Sequence, residues 1–226
     1  MDVIDMDAPI FRRFRALPSN CRADTGARGF SLIEVLVTLV IVSMGLLGLA
    51  GLKARAHVAE LEAYQRAQAL VLMSDMVERV RLSRVNGSCF AITTADVGSP
   101  FYGTGSAAFA NCAAGNSAQN TLAGQSMTEW DSLLKGSSET SAAGASVGAM
   151  IGARGCVSYN SATEIANVTT GVAMSSTGVF TVSVAWQGMS DTVANTTDMC
   201  GTGNYGGEGK RRVVTTSFRI ANLQLN

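Results

Sequence analysis

The chain has 226 residues, of which 47% are hydrophobic and 15% charged, and its 17 basic and 17 acidic residues leave no formal net charge. Such a balance lacks the basic excess that is typical of nucleic-acid-binding proteins. The single histidine, His57, offers little basis for a Ser-His-Asp triad or a histidine-based metal site. The composition therefore argues against nucleic-acid binding and predicts no catalytic residues, no metal site and no cofactor.

The first segment, residues 1–29, contains five arginines and four aspartates, and the arginines lie towards a long apolar stretch. Basic residues that flank a membrane helix favour the orientation in which the flanking segment stays in the cytoplasm. The apolar stretch, residues 30–52, would form a helix of about 35 Å, long enough for a hydrocarbon core of about 30 Å. We therefore expect a cytoplasmic leader, a membrane-spanning helix and an exported carboxyl-terminal part.

One charged residue, Glu34, stands inside the apolar stretch, at the fifth position after Gly29. An acidic residue at the centre of a membrane helix costs roughly 2.5–3.5 kcal/mol, so such a residue usually has a partner or a function. Three interpretations follow. The chain has a signal peptide cleaved at Ala54-Arg55-Ala56, or a plain anchor in which Ser31 and Glu34 form a capping box, or a leader that is cut before Phe30.

The third interpretation uses the most residues. The junction Arg28-Gly29-Phe30-Ser31-Leu32-Ile33-Glu34 resembles the class III leader junction of type IV pilins and type II secretion pseudopilins. This resemblance implies that a prepilin peptidase cuts after Gly29 and that Phe30 becomes N-methylated. It also implies that Glu34 pairs with the amino terminus of a neighbouring subunit. Loss of one partner of a buried ion pair costs about 3–5 kcal/mol, so this pair would set the register between subunits.

The helical pattern continues beyond the apolar stretch, and we predict an amphipathic second half of the same helix over residues 53–87. Glu62 with Arg66, and Asp75 with Arg79, have the spacing of favourable i,i+4 ion pairs. Asn86-Gly87 predicts a left-handed helix end. The residues predicted to face a soluble domain are Val58, Leu61, Val71, Met73, Met76, Val77 and Val80.

The exported domain, residues 88–226, begins with a region rich in Gly, Ser and Ala, in which 103–115 has the composition of a loop. Ser126 and Glu129 have the spacing of a capping box, which predicts a short helix over 127–135. Apolar residues in this helix recur at helical spacing, and we expect its tryptophan, Trp130, to face the core.

Alternating apolar residues predict two half-buried strands, over 180–187 and 214–220. Val157 and Tyr159 indicate a third, short strand. A small antiparallel sheet laid on the amphipathic helix would bury the apolar faces of both. The fold class predicted from these elements is α+β.

Four of the five cysteines follow the apolar stretch, and an even number in an exported region indicates disulfide bonds. Cys21 lies in the leader. Four cysteines allow three connectivities, and we favour the two that close the smaller loops, Cys89–Cys112 and Cys156–Cys200.

Two further motifs carry little weight. Residues 201–206 fit GxGxxG but do not open a helix after a strand, so a glycine-rich surface loop is the better interpretation. Lys210-Arg211-Arg212 is a short basic run, which we interpret as the solvated entrance to a strand.

The sequences Gly155-Cys156-Val157 and Val182-Ser183-Val184-Ala185-Trp186-Gln187-Gly188, with Cys200 and the Trp130 helix, resemble the PilV family of type IV pilus minor pilins. The resemblance implies a pilin fold and a role in priming pilus assembly. Implied partners are the prepilin peptidase, the inner membrane, other minor pilins, the major pilin and a tip adhesin. The alternatives are a minor pseudopilin of type II secretion and a membrane-tethered DNA-uptake module.

Overall fold

The computed structural model describes residues 29–148 and 150–221. It confirms an α+β fold in which a long amino-terminal helix precedes a small antiparallel sheet with two disulfide bonds. The contacts divide the chain into two units at Ala50 and Gly51, and the packing described below lies within the second unit. The elements are α1 (Leu32–Leu82), α2 (Gly87–Phe90), β1 (Tyr102–Gly103), α3 (Ser117–Leu134), β2 (Arg154–Asn160), β3 (Val179–Gln187) and β4 (Arg211–Arg219).

The face by which α1 enters the core begins at Ala69 and continues through Met76, Val77 and Val80, all of which are buried. These residues repeat at three- and four-residue steps, as an amphipathic helix requires. The prediction is confirmed for the last three and wrong for Val58, Leu61 and Val71, which are 37%, 51% and 68% exposed. Val71 lies about 200° around the helix from Ala69 at ~100° per residue, so it faces away from the core.

The predicted helix end at Asn86-Gly87 is also wrong. α1 ends at Leu82, and Gly87 begins the single turn of α2 without a positive φ. A Cβ atom on Gly87 would lie 3.2 Å from the Phe180 ring and 3.3 Å from Ile220. Gly87 therefore packs closely against Phe180 and Ile220 and does not form a left-handed helix end.

Helix α3 begins ten residues before the predicted start at 127. Its cap is Asn116, whose side chain accepts from the Gln119 N–H at 2.9 Å, while the Gln119 side chain accepts from the Asn116 N–H at 3.0 Å. This reciprocal pair is a capping box. Ser126, the predicted cap, lies inside the helix. The predicted end is confirmed, because α3 stops at Leu134 and Gly136 follows with a φ of 90°.

The strands of the described chain form one antiparallel sheet in the order β1-β2-β3-β4. The predicted strands are confirmed, although β2 and β4 are longer than expected, and the two-residue β1 was not predicted. Strand β3 departs from the expected half-buried pattern, because Ser183 and Ala185 are buried as well as their core-facing neighbours. The Cys156–Cys200 bond explains this burial, since it holds Cys200 and Tyr205 in a second apolar cluster with Ala185.

Candidate functional site

The predicted processing junction lies just before α1. Gly29 and Phe30 precede the helix, Phe30 is 85% exposed, and a Cβ atom on Gly29 would meet no atom within 4 Å. The backbone carbonyl of Ser31 accepts from the N–H groups of Glu34 and Val35 at 3.0 and 3.3 Å. The junction is thus an accessible, non-helical segment directly before the amino-terminal end of α1. Residues 1–28 of the predicted leader, with Cys21, lie outside the described residues.

The apolar half of α1 is exposed throughout. Leu32, Leu47 and Leu52 are 78%, 73% and 67% exposed, and the other large apolar residues of this segment are about half exposed or more. α1 is long and apolar enough to cross a membrane. Because exposed apolar surface of this extent is unfavourable in water, this segment requires lipid or other apolar helices around it.

Glu34 is the one charged residue of this apolar half. Thr38 and Ser43 form hydrogen bonds within the helix, since their hydroxyls donate to the carbonyls of Val35 and Leu39 at 2.9 and 2.7 Å. Within the described chain Glu34 makes no ion pair, and neither Ser31 nor Glu34 forms the side-chain bonds of a capping box. The Glu34 carboxylate is therefore available to a cation from outside the described residues.

The four cysteines that follow α1 form Cys89–Cys112 and Cys156–Cys200, with Cα–Cα distances of 5.4 and 5.7 Å. These are the two pairs favoured from the sequence. The bonds join residues 23 and 44 positions apart. Loops of these sizes contribute about 3–4 kcal/mol in the chain-entropy model. The first bond ties α2 to the loop before α3, and the second ties β2 to the loop before β4.

Trp130 is central to the main core, as predicted, with none of its surface exposed. Its indole N–H donates to the Leu72 carbonyl of α1 at 2.9 Å, and its ring meets Tyr102 edge-on at 5.0 Å. The Tyr102 hydroxyl donates in turn to the Phe90 carbonyl at 2.8 Å, and burial followed by the Asp131 charge raises the pKa of this phenol. Trp130 thus connects α3 to α1 and to the first strand.

The basic run at 210–212 is not a solvated strand entrance. Arg211 is only 2% exposed, and its guanidinium donates to the carbonyls of Asp198, Cys200 and Asn195. It also pairs with Glu208 at 2.5 Å. The Gly203 N–H lowers the pKa of Glu208, burial opposes this, and Arg211 lowers it further. Arg211 therefore holds the long β3–β4 connection in place and is not free to contact DNA.

Arg212 is also held internally, and this changes the ion pairing predicted for α1. Its guanidinium contacts Glu62 at 3.4 Å and donates to the Ser190 carbonyl at 2.7 Å. Glu62 further accepts from the backbone N–H groups of Met189 and Ser190 at 3.1 and 3.2 Å. The predicted Glu62–Arg66 pair is therefore replaced by a bond between α1 and the β3–β4 connection. The predicted Asp75–Arg79 pair is present at 2.8 Å.

The remaining sequence motifs have structural roles. Residues 201–206 lie in turns with positive φ at Gly201, Gly203 and Gly206, which confirms a glycine-rich loop. His57 is exposed and lies 3.2 Å from Glu60. Sequence reasoning missed the roles of Arg211 and Glu62. The carbonyls that Arg211 binds and the groups that Glu62 binds are more than ten residues away, and no local pattern marks them. The Asn116-x-x-Gln119 pair, by contrast, is a local signal that could have located the start of α3.

A family model described as the prokaryotic N-terminal methylation motif matches residues 25–50, which include Gly29, Phe30 and Glu34. The match indicates a type IV pilin-like prepilin, that is, a pilin or pseudopilin processed by prepilin peptidase. This motif is typical of structural subunits rather than of catalysts. No curated protein and no solved structure matches the chain.

Proposed function

We propose that the chain is a minor pilin of the type IV pilus, cut by prepilin peptidase after Gly29 and N-methylated at Phe30. In this proposal residues 1–29 are the leader, 30–52 form the membrane and filament-core half of α1, 53–87 contain its amphipathic half, and 88–226 form the periplasmic domain. The subunit resides in the inner membrane before assembly and in the pilus afterwards. It takes part in initiating assembly and in displaying an adhesin at the tip.

The observation that carries this proposal is the exposure of the apolar half of α1, together with its lone carboxylate. Apolar side chains there are exposed on every side of the helix. A helix of this kind suits lipid first and a bundle of like helices later. In such a bundle Glu34 requires a cation, and cleavage after Gly29 creates one at the amine of Phe30.

The choice of a minor pilin rests on the residues shared with the PilV family. Several of these residues pack against or bond to one another, so each depends on the presence of the others. Gly155 allows Trp130 to lie against β2, and Cys156 binds Cys200, which covers the other face of the sheet. A pseudopilin of type II secretion has the same processing junction and apolar helix. The pilus is therefore favoured by the carboxyl-terminal domain, residues 88–226, alone.

The test of processing is intact-mass spectrometry of protein isolated from the cell envelope. We expect a chain of 197 residues (226 − 29) that begins with methylated Phe30. Gly29→Val should leave the full-length precursor, because a side chain at this position obstructs the cut. Gly26→Val, three residues earlier in the leader, is the matched control and should be processed. A wild-type chain beginning at Met1 or Met6, or beyond Ala56, would overturn the proposal.

The test of the pilus role is deletion of the gene followed by two assays. Loss of twitching motility and of surface pili, with protein secretion intact, supports the minor pilin. Loss of secretion with normal pili would assign the chain to a type II secretion system instead. Complementation with wild type, but not with the Gly29→Val precursor, should restore the lost function.

A further inference from the structure

The two edges of the sheet differ in length and in how they are covered. Strand β1, at one edge, has only two residues, and its Gly103 N–H donates to Asp131 of α3 at 2.7 Å. Strand β4, at the other edge, has nine residues, and all of them pair with β3 in an unbroken register. A long edge strand with unpaired backbone groups is a template for pairing with another chain.

The register identifies the backbone groups of β4 that face away from β3. The Gly188 N–H donates to the Lys210 carbonyl at 2.7 Å, directly beyond the last strand pair, so these two residues continue the ladder as a hydrogen-bonded pair. In an antiparallel ladder, hydrogen-bonded and non-hydrogen-bonded pairs alternate. The even-numbered residues of β4 therefore bond to β3, whereas the N–H and C=O groups of Val213, Thr215 and Ser217 point outwards.

These outward-facing groups have no hydrogen-bond partner among residues 29–148 and 150–221, and the edge is accessible. Thr215, Ser217 and Arg219 are exposed. The stretch from Val213 to Phe218 contains no proline, no charged residue and no bulge, which are features that protect edge strands from pairing. The β4 edge can therefore accept one further strand.

Aromatic side chains form a row across the core face of the sheet, and the row ends at β4. Tyr159, Phe180 and Phe218 lie opposite one another in register, with successive ring centroids 4.4 and 5.6 Å apart. Phe218 is only half-buried, and the Arg81 guanidinium lies 5.5 Å from its ring centroid. An aromatic residue opposite Phe218 on an added strand would continue the row, because aromatic pairs across strands are favourable.

Hydroxyl groups form the corresponding row on the opposite face of the sheet. Thr181 of β3 bonds to Ser217 of β4 at 2.9 Å, and Ser183 bonds to Thr215 at 3.1 Å. Hydroxyl pairs across strands are also favourable. Thr or Ser residues on an added strand would therefore continue this row.

The charge at the end of β4 indicates what kind of chain would add this strand. The Arg219 guanidinium donates to the Thr163 carbonyl at 2.6 Å, but it has no carboxylate within ion-pairing distance in the described chain. β4 itself carries Arg211, Arg212 and Arg219 and no acidic residue. A second copy of β4, in either direction, would bring only further positive charge to this edge. A carboxylate on a different chain is therefore the better partner for Arg219.

We propose that the edge of β4 binds an extended segment of a different protein, in which an acidic residue directly precedes an aromatic one. The segment pairs with residues 213–219 in the antiparallel direction, as the strands of this sheet do with one another. Its carboxylate then lies opposite Arg219 and its aromatic ring opposite Phe218. The outward backbone groups of β4 provide affinity, and these two side chains provide specificity.

The test is a titration of the full-length, ¹⁵N-labelled chain in detergent micelles with the acetylated peptide Glu-Phe-Thr-Val-Thr-Val-Thr, followed by amide hydrogen exchange. Without peptide, the amides of Val213, Thr215 and Ser217 should exchange about tenfold or more faster than those of Val214 and Thr216, which bond to β3. Saturating peptide should slow the first three by about tenfold or more and leave the other two unchanged.

Two changes in β4 test the backbone and the side-chain contacts separately. Ser217→Pro removes one outward N–H and should weaken binding by about tenfold, whereas Ser217→Ala keeps the N–H and should bind normally. Arg219→Glu keeps every backbone group, so it remains informative if Ser217→Pro does not fold. It should weaken binding about threefold or more and strengthen binding of the peptide in which Lys replaces Glu. Arg84→Glu, an equal charge change beside Leu122 of α3, should alter neither.

Slow exchange of Val213, Thr215 and Ser217 in the absence of peptide would overturn the proposal. Protection that grows with protein concentration would assign the edge to a second copy, and protection independent of concentration would assign it to the chain's own residues. The absence of saturable binding, or equal affinity for the Glu and Lys peptides, would also overturn it. These measurements do not depend on cleavage after Gly29, so a negative result leaves the proposed function unaffected.

Discussion

The indole ring of Trp130 occupies the space that a side chain on Gly155 would need. A Cβ atom placed on Gly155 would lie 2.0 Å from Cη2 and 2.4 Å from Cζ3 of Trp130, and 2.7 Å from the Leu134 side chain. The indole ring of α3 can therefore pack closely on β2 only because that strand has no side chain at this point. The contact sets the distance between helix and sheet.

Gly155→Ala should lower the free energy of unfolding by about 1–3 kcal/mol, because an added methyl group overpacks a buried contact. The measurement is chemical denaturation of the full-length chain in detergent. Gly124→Ala is the matched control, since Gly124 lies inside α3 with no atom within 4 Å of a Cβ. That change should stabilise by about 0.5–1 kcal/mol through helix propensity.

A double-mutant cycle isolates the pair. In a Trp130→Phe background the clashing atoms of the larger ring are absent, so Gly155→Ala should cost at least 0.5 kcal/mol less than in wild type, a margin of roughly the size expected for residues in contact. Equal costs in both backgrounds would show that the two residues do not constrain each other.

Arg211→Ala should destabilise the chain by about 2–4 kcal/mol, because it leaves buried carbonyl groups and Glu208 without their donor. Arg211→Lys should recover only part of this loss, since an ammonium cannot reproduce the planar fork that serves several acceptors. Lys210→Ala, at the adjacent and partly exposed position, should stay within about 0.5 kcal/mol of wild type. Thermal unfolding of the three variants measures these differences, and similar values for positions 210 and 211 would contradict the buried role of Arg211.

Stability should fall on the acid side partly through Glu62. Burial raises the pKa of this carboxyl, but the Ser190 donors and Arg212 outweigh it, so the folded-state pKa lies below the unfolded one. A lowered carboxyl pKa stabilises the fold above the unfolded value, about 4.3, and this contribution is lost as the pH falls through the folded value.

Glu62→Gln should therefore lower the free energy of unfolding by about 1 kcal/mol at neutral pH. The difference from wild type should shrink as the pH falls below about 4. Glu60→Gln is the control, because the Glu60 side chain is 73% exposed and pairs with the exposed His57. Denaturation curves between neutral and acid pH measure both variants. A constant difference across that range would exclude the Glu62 contribution.

Alkylation of unreduced protein should distinguish the precursor from the mature chain. Four of the five cysteines lie in disulfide bonds, and the fifth, Cys21, belongs to the proposed leader. The precursor should take up one iodoacetamide group and the mature chain none, as read by intact mass. Reduction before labelling should raise these numbers to five and four. A mature chain that reacts without reduction would contradict the oxidised state of the domain.

Glu34→Gln should leave membrane insertion and cleavage intact but reduce incorporation into pili, because the amine of a neighbouring subunit would lose its buried partner. The loss corresponds to about 3–5 kcal/mol for a buried pair, enough to abolish detectable incorporation. Immunoblots of sheared pili and of membranes measure the two pools. Glu60→Gln serves again as the control, and normal amounts of Glu34→Gln in pili would argue against pairing at this position.

Much of the chain could be predicted because its signals are local. The apolar stretch after Gly29, the alternation in β3 and the end of α3 depend on neighbours in sequence, and the same is true of the Asp75–Arg79 pair. The disulfide pairing could also be predicted from the sequence, because the entropy cost of loop closure is smaller for short loops.

Only the tertiary structure decided which polar groups are buried and what each of them binds. Arg211 and Glu62 look like solvated surface residues in the sequence, yet both serve the β3–β4 connection. Val58 and Leu61 continue the apolar pattern of α1 but lie beyond the elements that bury Ala69. Periodicity tells which residues share a face, whereas burial depends on what long-range folding brings against that face.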